Sequence, residues 1–180
     1  LTVAGVWLVL LWAFVLGSQW FFGQPLSLAA WADNWDGSWY LSIVEHGYHA
    51  GSFSQQVNVA FFPLFPGLVW LVSKVALLPP VWAGIAVSSV SFAAALVVLH
   101  HFVRRFFTPR VATWAVLLAA FNPFSLYFGM MYTESLFLLL AVSTFWFIYT
   151  KQWWLAGLFA GFATATRSVG VALAISVVVG

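Results

Sequence analysis

Long apolar runs, separated by short polar breaks, dominate the chain from one end to the other. A membrane-spanning helix needs about 20 mostly apolar residues, so these runs predict five transmembrane helices. They cover residues 1–23, 81–103, 111–131, 133–150 and 153–180. Because the chain begins at Leu1 without a Met and ends inside an apolar run, we expect it to be part of a longer protein.

One further apolar run, residues 61–78, is ambiguous. It contains Pro63 and Pro66 near its start and Lys74 near its end. Proline interrupts a regular helix, so only about a dozen residues after Pro66 are free to be helical, which is short for a span. The pattern favours a juxtamembrane helix that lies in the interface, and a further crossing of the membrane is the alternative.

The composition supports the prediction of membrane-spanning helices, because charged residues are scarce. Six Lys and Arg and four Asp and Glu make 6% of the 180 residues charged, against about 25% in soluble domains. Such a chain cannot cover a water-exposed surface, and six dispersed cations do not form a nucleic-acid-binding patch. The composition therefore excludes a soluble domain, a disordered segment and a nucleic-acid binder. It predicts an all-α polytopic membrane protein, and the absence of cysteine excludes disulfides and thiolate chemistry.

The cations predict how the chain is oriented in the membrane, because Lys and Arg in short loops favour the cytoplasmic side. Arg104, Arg105 and Arg110 share one loop, and Lys151 lies two predicted spans further on. Both loops then face the cytoplasm. If residues 61–78 lie in the interface, residues 24–80 form an external loop with juxtamembrane helices. All four acidic residues then face the outside: Asp33, Asp36, Glu45 and Glu134.

The external loop contains a stretch with two distinct faces if it is helical from Trp31 to Tyr40. At about 100° per residue, Trp31, Trp35 and Trp39 form one stripe, and Asp33, Asp36 and Tyr40 lie on the other side. Indole rings favour the headgroup level, so the stripe is typical of an interfacial anchor. The stretch is then either an amphipathic surface helix with solvated carboxylates or the support of a functional carboxylate at the membrane surface.

Two polar features interrupt the predicted spans. Arg167 lies roughly 20 Å into the last span if that span is one continuous helix, a depth at which arginine must be paired or face water. We therefore expect a functional role or an ion pair with a carboxylate such as Glu134, which lies at the outer end of another span. The Asn122-Pro123 pair predicts a kink in which Asn122 bonds a freed carbonyl.

His46 and His49 are three residues apart, a spacing compatible with two metal ligands. No third ligand is evident in their polar surroundings, so solvated or substrate-contacting histidines are the favoured interpretation. The sequence assigns no metal site, and it leaves open whether a divalent metal is needed.

Three stretches resemble the PIG-V family of mannosyltransferases, which includes the enzyme that adds the second mannose in GPI-anchor assembly, and its bacterial relatives. The first is WDGSWYLSIVEHGY at residues 35–48, followed by AFFPLFPGL at residues 60–68. The second is NPFSLYFGMMYTESLF at residues 122–137, and the third is ATATRSVG at residues 163–170. One departure is Val169, where many members of the family have Asn.

The resemblance implies a membrane glycosyltransferase of the GT-C class. Such enzymes take a sugar from a polyprenyl or dolichyl phosphate and act on the external or lumenal face. The implied partners are a polyprenyl-phosphate sugar donor, a glycan or glycolipid acceptor and membrane lipids. The implied location is the plasma membrane of a bacterium, or the endoplasmic reticulum membrane if the protein is eukaryotic.

The resemblance also implies roles for individual residues. Asp36 takes the acidic position of the family's Trp-Asp motif and is the candidate general base of an inverting transfer. Glu134 takes the second acidic position and Arg167 the arginine of the third motif, as candidates for substrate or donor binding. Apart from the resemblance, the aromatic side chains of Trp35 and Tyr40 are candidate contacts of the sugar, and Trp35 is equally a candidate membrane anchor.

Other functions compatible with the sequence are a transporter or flippase with an intramembrane ion pair, and a non-catalytic scaffold. A GT-C enzyme that uses another lipid-linked sugar is a further alternative.

The orientation is testable because the chain has no native cysteine. A cysteine that replaces Ser52, in the predicted external loop, should react with a membrane-impermeant maleimide in intact cells. Labelling that needs permeabilised cells would overturn the orientation.

Overall fold

The computed structural model describes residues 2–49 and 58–179, so Ser52 lies outside the described residues. Within these ranges the chain is helical and contains no strand, which confirms the all-α fold class. The α-helices are α1 (Thr2–Phe21), α2 (Leu28–Ala32), α3 (Asp36–His46), α4 (Leu64–Ala76), α5 (Pro80–Val103), α6 (Pro109–Ala120), α7 (Glu134–Tyr149), α8 (Trp153–Thr164) and α9 (Val171–Val179). Short 3-10 helices cover Asn58–Ala60, Pro123–Gly129 and Ser168–Gly170.

Helix α5 is the centre of the bundle, with α4, α6 and α7 packed around it and α8 and α9 continuing outward from α7. Two apolar clusters hold these helices together. One joins α1, α5 and α6 through side chains that include Trp7, Phe92 and Val116. The other joins α3, α4, α7 and α8 and includes Phe65 and Met131, both fully buried. This second cluster supports the candidate site described below.

Two described helices, α1 and α5, are long and apolar enough to cross a membrane by length and composition. Helix α6 with the following 3-10 helix would make a third span if the bent pair is counted as one. Four apolar helical segments are shorter: Leu64–Ala76, Glu134–Tyr149, Trp153–Thr164 and Ser168–Val179. The chain is a membrane protein, and the five-span arrangement stays a prediction.

The kink expected at Asn122-Pro123 is confirmed, and it is a sharp one. Helix α6 ends at Ala120, and the 3-10 helix that follows is bent from it by 75°. The Asn122 side-chain amide donates to the carbonyl of Ala119 at 2.8 Å, and its oxygen accepts from the Phe124 N–H at 2.8 Å. The asparagine thus pairs backbone groups that the proline leaves without helical partners, as an apolar environment requires.

The continuous helix expected from Trp31 to Tyr40 is wrong. Helix α2 ends at Ala32, a turn follows, and α3 begins at Asp36 after Trp35 at φ 49°. The Asn34 side-chain amide donates to the Ala30 carbonyl at 2.9 Å, a local bond that competes with helix continuation. The three tryptophans therefore do not form one helical stripe.

The position of Arg167 inside one long helix is also wrong. Helix α8 ends at Thr164, and Arg167 has an extended backbone (φ −154°, ψ 146°) before the next helical turn. The Thr166 hydroxyl donates to the carbonyls of Phe162 and Ala163, in the last turn of α8. Arg167 therefore lies at a break between two helices.

Candidate active site

An open cleft of about 170 Å³ lies where three separate segments of the chain meet. The start of α3, the start of α7 and the break between α8 and α9 form its walls, with the chain before α4 completing it. Its lining residues are Asp36, Tyr40, Ala60, Phe61, Phe62, Thr133, Glu134, Thr166, Arg167 and Ser168. Four of the five predicted site residues therefore share one cleft.

Asp36 is the first residue of α3, and its side chain is exposed to solvent. A carboxylate is favoured at a helix N-terminus, where the helix dipole is positive. The turn before it is sharp, because a Cβ added at Gly37 would lie 2.5 Å from the Ala32 carbonyl oxygen. Gly37 thus permits the approach of α2 that directs the start of α3 toward the cleft.

Tyr132 holds this turn against the segment that precedes α7. Its hydroxyl accepts from the Asp36 N–H at 3.3 Å and donates to the Asn34 carbonyl at 3.2 Å. A backbone bond from the Met131 N–H to the Ala32 carbonyl, at 3.1 Å, runs alongside. The Tyr132 carbonyl accepts from the Ser88 hydroxyl of α5 at 3.2 Å. Asp36 is therefore positioned by contacts almost one hundred residues away in sequence.

The break before α9 places Arg167 at the cleft. A Cβ at Gly170 would lie 2.4 Å from backbone atoms of Ala163 and Thr164, so the chain reverses closely over the end of α8. The Ala165 carbonyl, which the break frees, accepts from the Leu64 N–H at 3.0 Å. This hydrogen bond joins the start of α4 to the break between α8 and α9, beside the cleft.

Arg167 and Glu134 form an ion pair across the cleft. The Arg167 Nη1 donates to Glu134 Oε1 at 2.5 Å, and the two side chains are 41% and 30% exposed. The pairing expected from the sequence is present, although it joins the N-terminus of α7 to a helix break. Because both side chains remain partly exposed, the guanidinium keeps donors free for a ligand, since arginine carries five N–H groups.

The two tyrosines beside the carboxylates are neutral at physiological pH. Burial, with the negative charges of Glu134 and Asp36, raises the pKa of Tyr40 to about 12. Burial and the same two carboxylates raise the pKa of Tyr132 to about 12 as well.

The aromatic candidates are placed differently from each other. Tyr40 is only 6% exposed, with its ring packed edge-on against Phe61 and Phe65, so it forms part of the cleft wall and offers no open face for stacking on a sugar. Trp35 is 70% exposed and does not line the cleft, although it adjoins Asp36. Its ring is free to contact a sugar or the membrane.

His46 and His49 both lie away from the cleft-lining set. In the part of the chain that the structure describes, no group of three His, Asp or Glu side chains is arranged to hold a metal ion. The charged side chains that line the cleft are those of Asp36, Glu134 and Arg167.

The three segments that build the cleft carry the three stretches of family resemblance. The family described as Mannosyltransferase (PIG-V) matches residues 26–179 of the chain, which covers every residue of the cleft. The chain belongs to this mannosyltransferase family. No curated protein and no solved structure gives a significant match.

As a mannosyltransferase, the protein is an enzyme that needs a sugar donor and a glycan acceptor in a membrane. This finding favours the enzymatic interpretation of the sequence over a transporter, a flippase or a scaffold. The apolar helices place the mannosyltransferase in a membrane.

The sequence did not point to Phe61, Phe62, Thr133 and Thr166 as lining residues of the mannosyltransferase cleft. It also did not point to Tyr132, whose hydroxyl bonds the Asp36 turn beside the cleft. Each lies within one of the stretches of family resemblance, and that membership was the available signal. The hydrogen bond between Tyr132 and Asp36 joins segments that are far apart in sequence, so no local sequence pattern predicts it.

Replacement of Tyr132 by Phe should lower mannosyl transfer by about five- to tenfold, because loss of the two hydroxyl hydrogen bonds at the Asp36 turn costs about 1–1.4 kcal/mol. The rate should be measured at saturating donor in membranes with equal amounts of protein. Tyr127→Phe is the matched control, since the Tyr127 ring stacks on Tyr132 at 5.6 Å. Equal losses in both variants would show that Tyr132 acts through general packing only.

Proposed function

We propose that this enzyme transfers mannose from a polyprenyl- or dolichyl-phosphate donor to a hydroxyl group of a glycan or glycolipid, with inversion at the anomeric carbon. The observation that carries the proposal is the cleft in which Asp36 lies beside the Arg167–Glu134 pair. A base and a cation in one cleft are the two groups that transfer from a phosphate leaving group requires.

Asp36 acts as the general base. The acceptor hydroxyl oxygen attacks the anomeric carbon of mannose, and the bond from that carbon to the phosphate oxygen breaks with its electron pair leaving on the phosphate. The hydroxyl proton passes to the Asp36 carboxylate. The exposure of Asp36 suits this role, since an acceptor can approach it from solvent, whereas Glu134 is engaged with Arg167.

Arg167 stabilises the phosphate as negative charge develops on it, and Glu134 orients the guanidinium. Arginine suits phosphate because its planar N–H groups match two phosphate oxygens at once. The extended backbone at Arg167 lets the side chain leave the bundle and reach the cleft. The pair thus positions a cation next to the base without leaving that cation unpaired in an apolar bundle.

The location of the cleft supports action on the external or lumenal face. The cleft lies at the start of α7, whereas the end of α7 packs near the arginine loop, with Tyr149 4.9 Å from Phe106. The 16 residues of α7 span about 24 Å, which approaches the hydrocarbon thickness of a bilayer. If the arginines face the cytoplasm, the cleft faces the opposite side. The multi-pass arrangement is part of this proposal.

Asp36→Asn should reduce mannosyl transfer by about 10²–10⁴-fold, the usual contribution of a general base. The assay is transfer of radiolabelled mannose from polyprenyl-phosphate mannose by membranes that contain the full-length protein. Asp33→Asn is the matched control, because Asp33 is an acid of the same loop outside the cleft. Full activity of Asp36→Asn would exclude Asp36 as the base, and transfer from nucleotide-linked mannose alone would exclude the lipid-linked donor.

Arg167→Ala should reduce donor use by about 10²–10³-fold, as expected when one group that stabilises a developing anion is removed. Donor titrations with Arg167→Ala, Glu134→Gln and the double variant separate the roles of the pair. If Glu134 acts by holding Arg167, the double variant should be no worse than Arg167→Ala alone. Independent, multiplying losses would contradict that role, and an unchanged rate of transfer by Arg167→Ala at every donor concentration would remove Arg167 from the donor site.

A further inference from the structure

A second, larger cavity lies at the opposite end of the bundle from the catalytic cleft. It is a groove of about 600 Å³ between the start of α1, the end of α5 and the start of α6. This volume falls within the range of about 300–1,000 Å³ typical of ligand cavities. The mechanism proposed above uses none of its lining residues.

The groove changes character along its length. Its body is apolar, with Ala93, Leu96 and Val97 of α5 facing Val116 of α6. Its end toward the loop between α5 and α6 is polar: His100, His101 and Thr113 line it there. An elongated ligand that fits this groove therefore has an apolar tail and a polar head.

Two arginines stand at the polar end. Arg104 follows His100 by four residues in the helical continuation of α5, and its N–H donates to the His100 carbonyl at 3.1 Å. Arg110 precedes Thr113 by three residues in the first turn of α6. Residues three or four apart share a helix face, so Arg104 and Arg110 flank the polar end of the groove, next to its lining residues His100 and Thr113. Both side chains are exposed.

The third arginine of the loop lies elsewhere. The Arg105 guanidinium carbon is 5.3 Å from the centre of the Trp146 ring, so this side chain packs over α7. Among the described residues, none of the side chains that line the groove is acidic. The four acidic residues lie between α1 and α4 or at the start of α7. The head of the ligand thus meets positive charge that no local carboxylate neutralises.

We propose that this groove binds an anionic phospholipid, with its phosphate between Arg104 and Arg110 and an acyl chain along the apolar body. Charge complementarity favours an anionic phospholipid, since its headgroup phosphate pairs with arginine and its acyl chain fills the apolar groove. A zwitterionic lipid offers the same chain without net negative charge. Free phosphate offers the charge without the chain.

The proposal is tested on purified full-length protein in a neutral detergent. Phosphatidylglycerol and phosphatidylcholine of identical acyl chains are titrated in turn, and the melting temperature is followed by tryptophan fluorescence. Phosphatidylglycerol should raise the melting temperature more than phosphatidylcholine does, because a ligand that binds the folded state stabilises it. Inorganic phosphate at the same concentration should give no shift, and added salt should reduce the phosphatidylglycerol effect.

The variants distinguish a site from general attraction to positive charge. The double variant Arg104→Gln/Arg110→Gln should lose the difference between the two lipids, whereas Arg105→Gln, which removes a charge from the same loop, should keep it. Val97→Phe fills the groove and leaves every charge in place, so it should also lose the difference. Mannosyl transfer by each variant in neutral lipid shows that it is folded.

Equal shifts with both lipids in the wild-type protein would overturn the proposal. An equal loss in Arg105→Gln and in the double variant would also overturn it, because it would mean that the lipid responds to the charge of the whole loop. So would a Val97→Phe variant that responds to phosphatidylglycerol as the wild type does.

Discussion

The ion pair between Arg167 and Glu134 is the interaction on which the cleft depends, because it joins the start of α7 to the break between α8 and α9. In an apolar bundle a broken helix frees backbone groups that must find partners. Here the Ala165 carbonyl accepts from the Leu64 N–H, and the Thr166 hydroxyl occupies carbonyls of the preceding turn. The backbone groups at the break between α8 and α9 therefore have hydrogen-bond partners, and one of these bonds joins the break to the start of α4.

The same constraint explains why the cleft draws on three distant segments. Asp36 could not lie near Arg167 if the chain from α2 to α3 were one helix, and Arg167 could not leave the bundle if α8 and α9 were one helix. Each interruption is held by a contact from another segment: the Tyr132 hydroxyl at the first and the Leu64 N–H at the second. The three stretches of family resemblance, although far apart in sequence, thus contain both the residues of the cleft and the contacts that hold them in place.

Much of the architecture could be predicted from the sequence, because apolar runs and sparse charge are strong signals of a helical membrane protein. The kink at Asn122-Pro123 and the pairing of Arg167 with Glu134 were also predictable from local chemistry and the cost of an unpaired charge. The interruptions at Trp35 and Arg167 were not. Apolar residues continue across both positions, and the interruptions are held by the Tyr132 hydroxyl and the Leu64 N–H, which come from distant segments of the chain.

On the proposed mechanism, the pairing of Arg167 with Glu134 also favours the transition state over the bound donor. A lipid-phosphate sugar is a phosphodiester with one negative charge, and departure of the sugar leaves a phosphate monoester that can carry more. In the ground state Glu134 competes for the guanidinium, so a monoanion gains little from it. As negative charge grows on the phosphate, the Arg167 guanidinium interacts more strongly with the phosphate and less with Glu134. Catalysis requires this difference, because a cation that bound donor and transition state equally would not accelerate the chemical step.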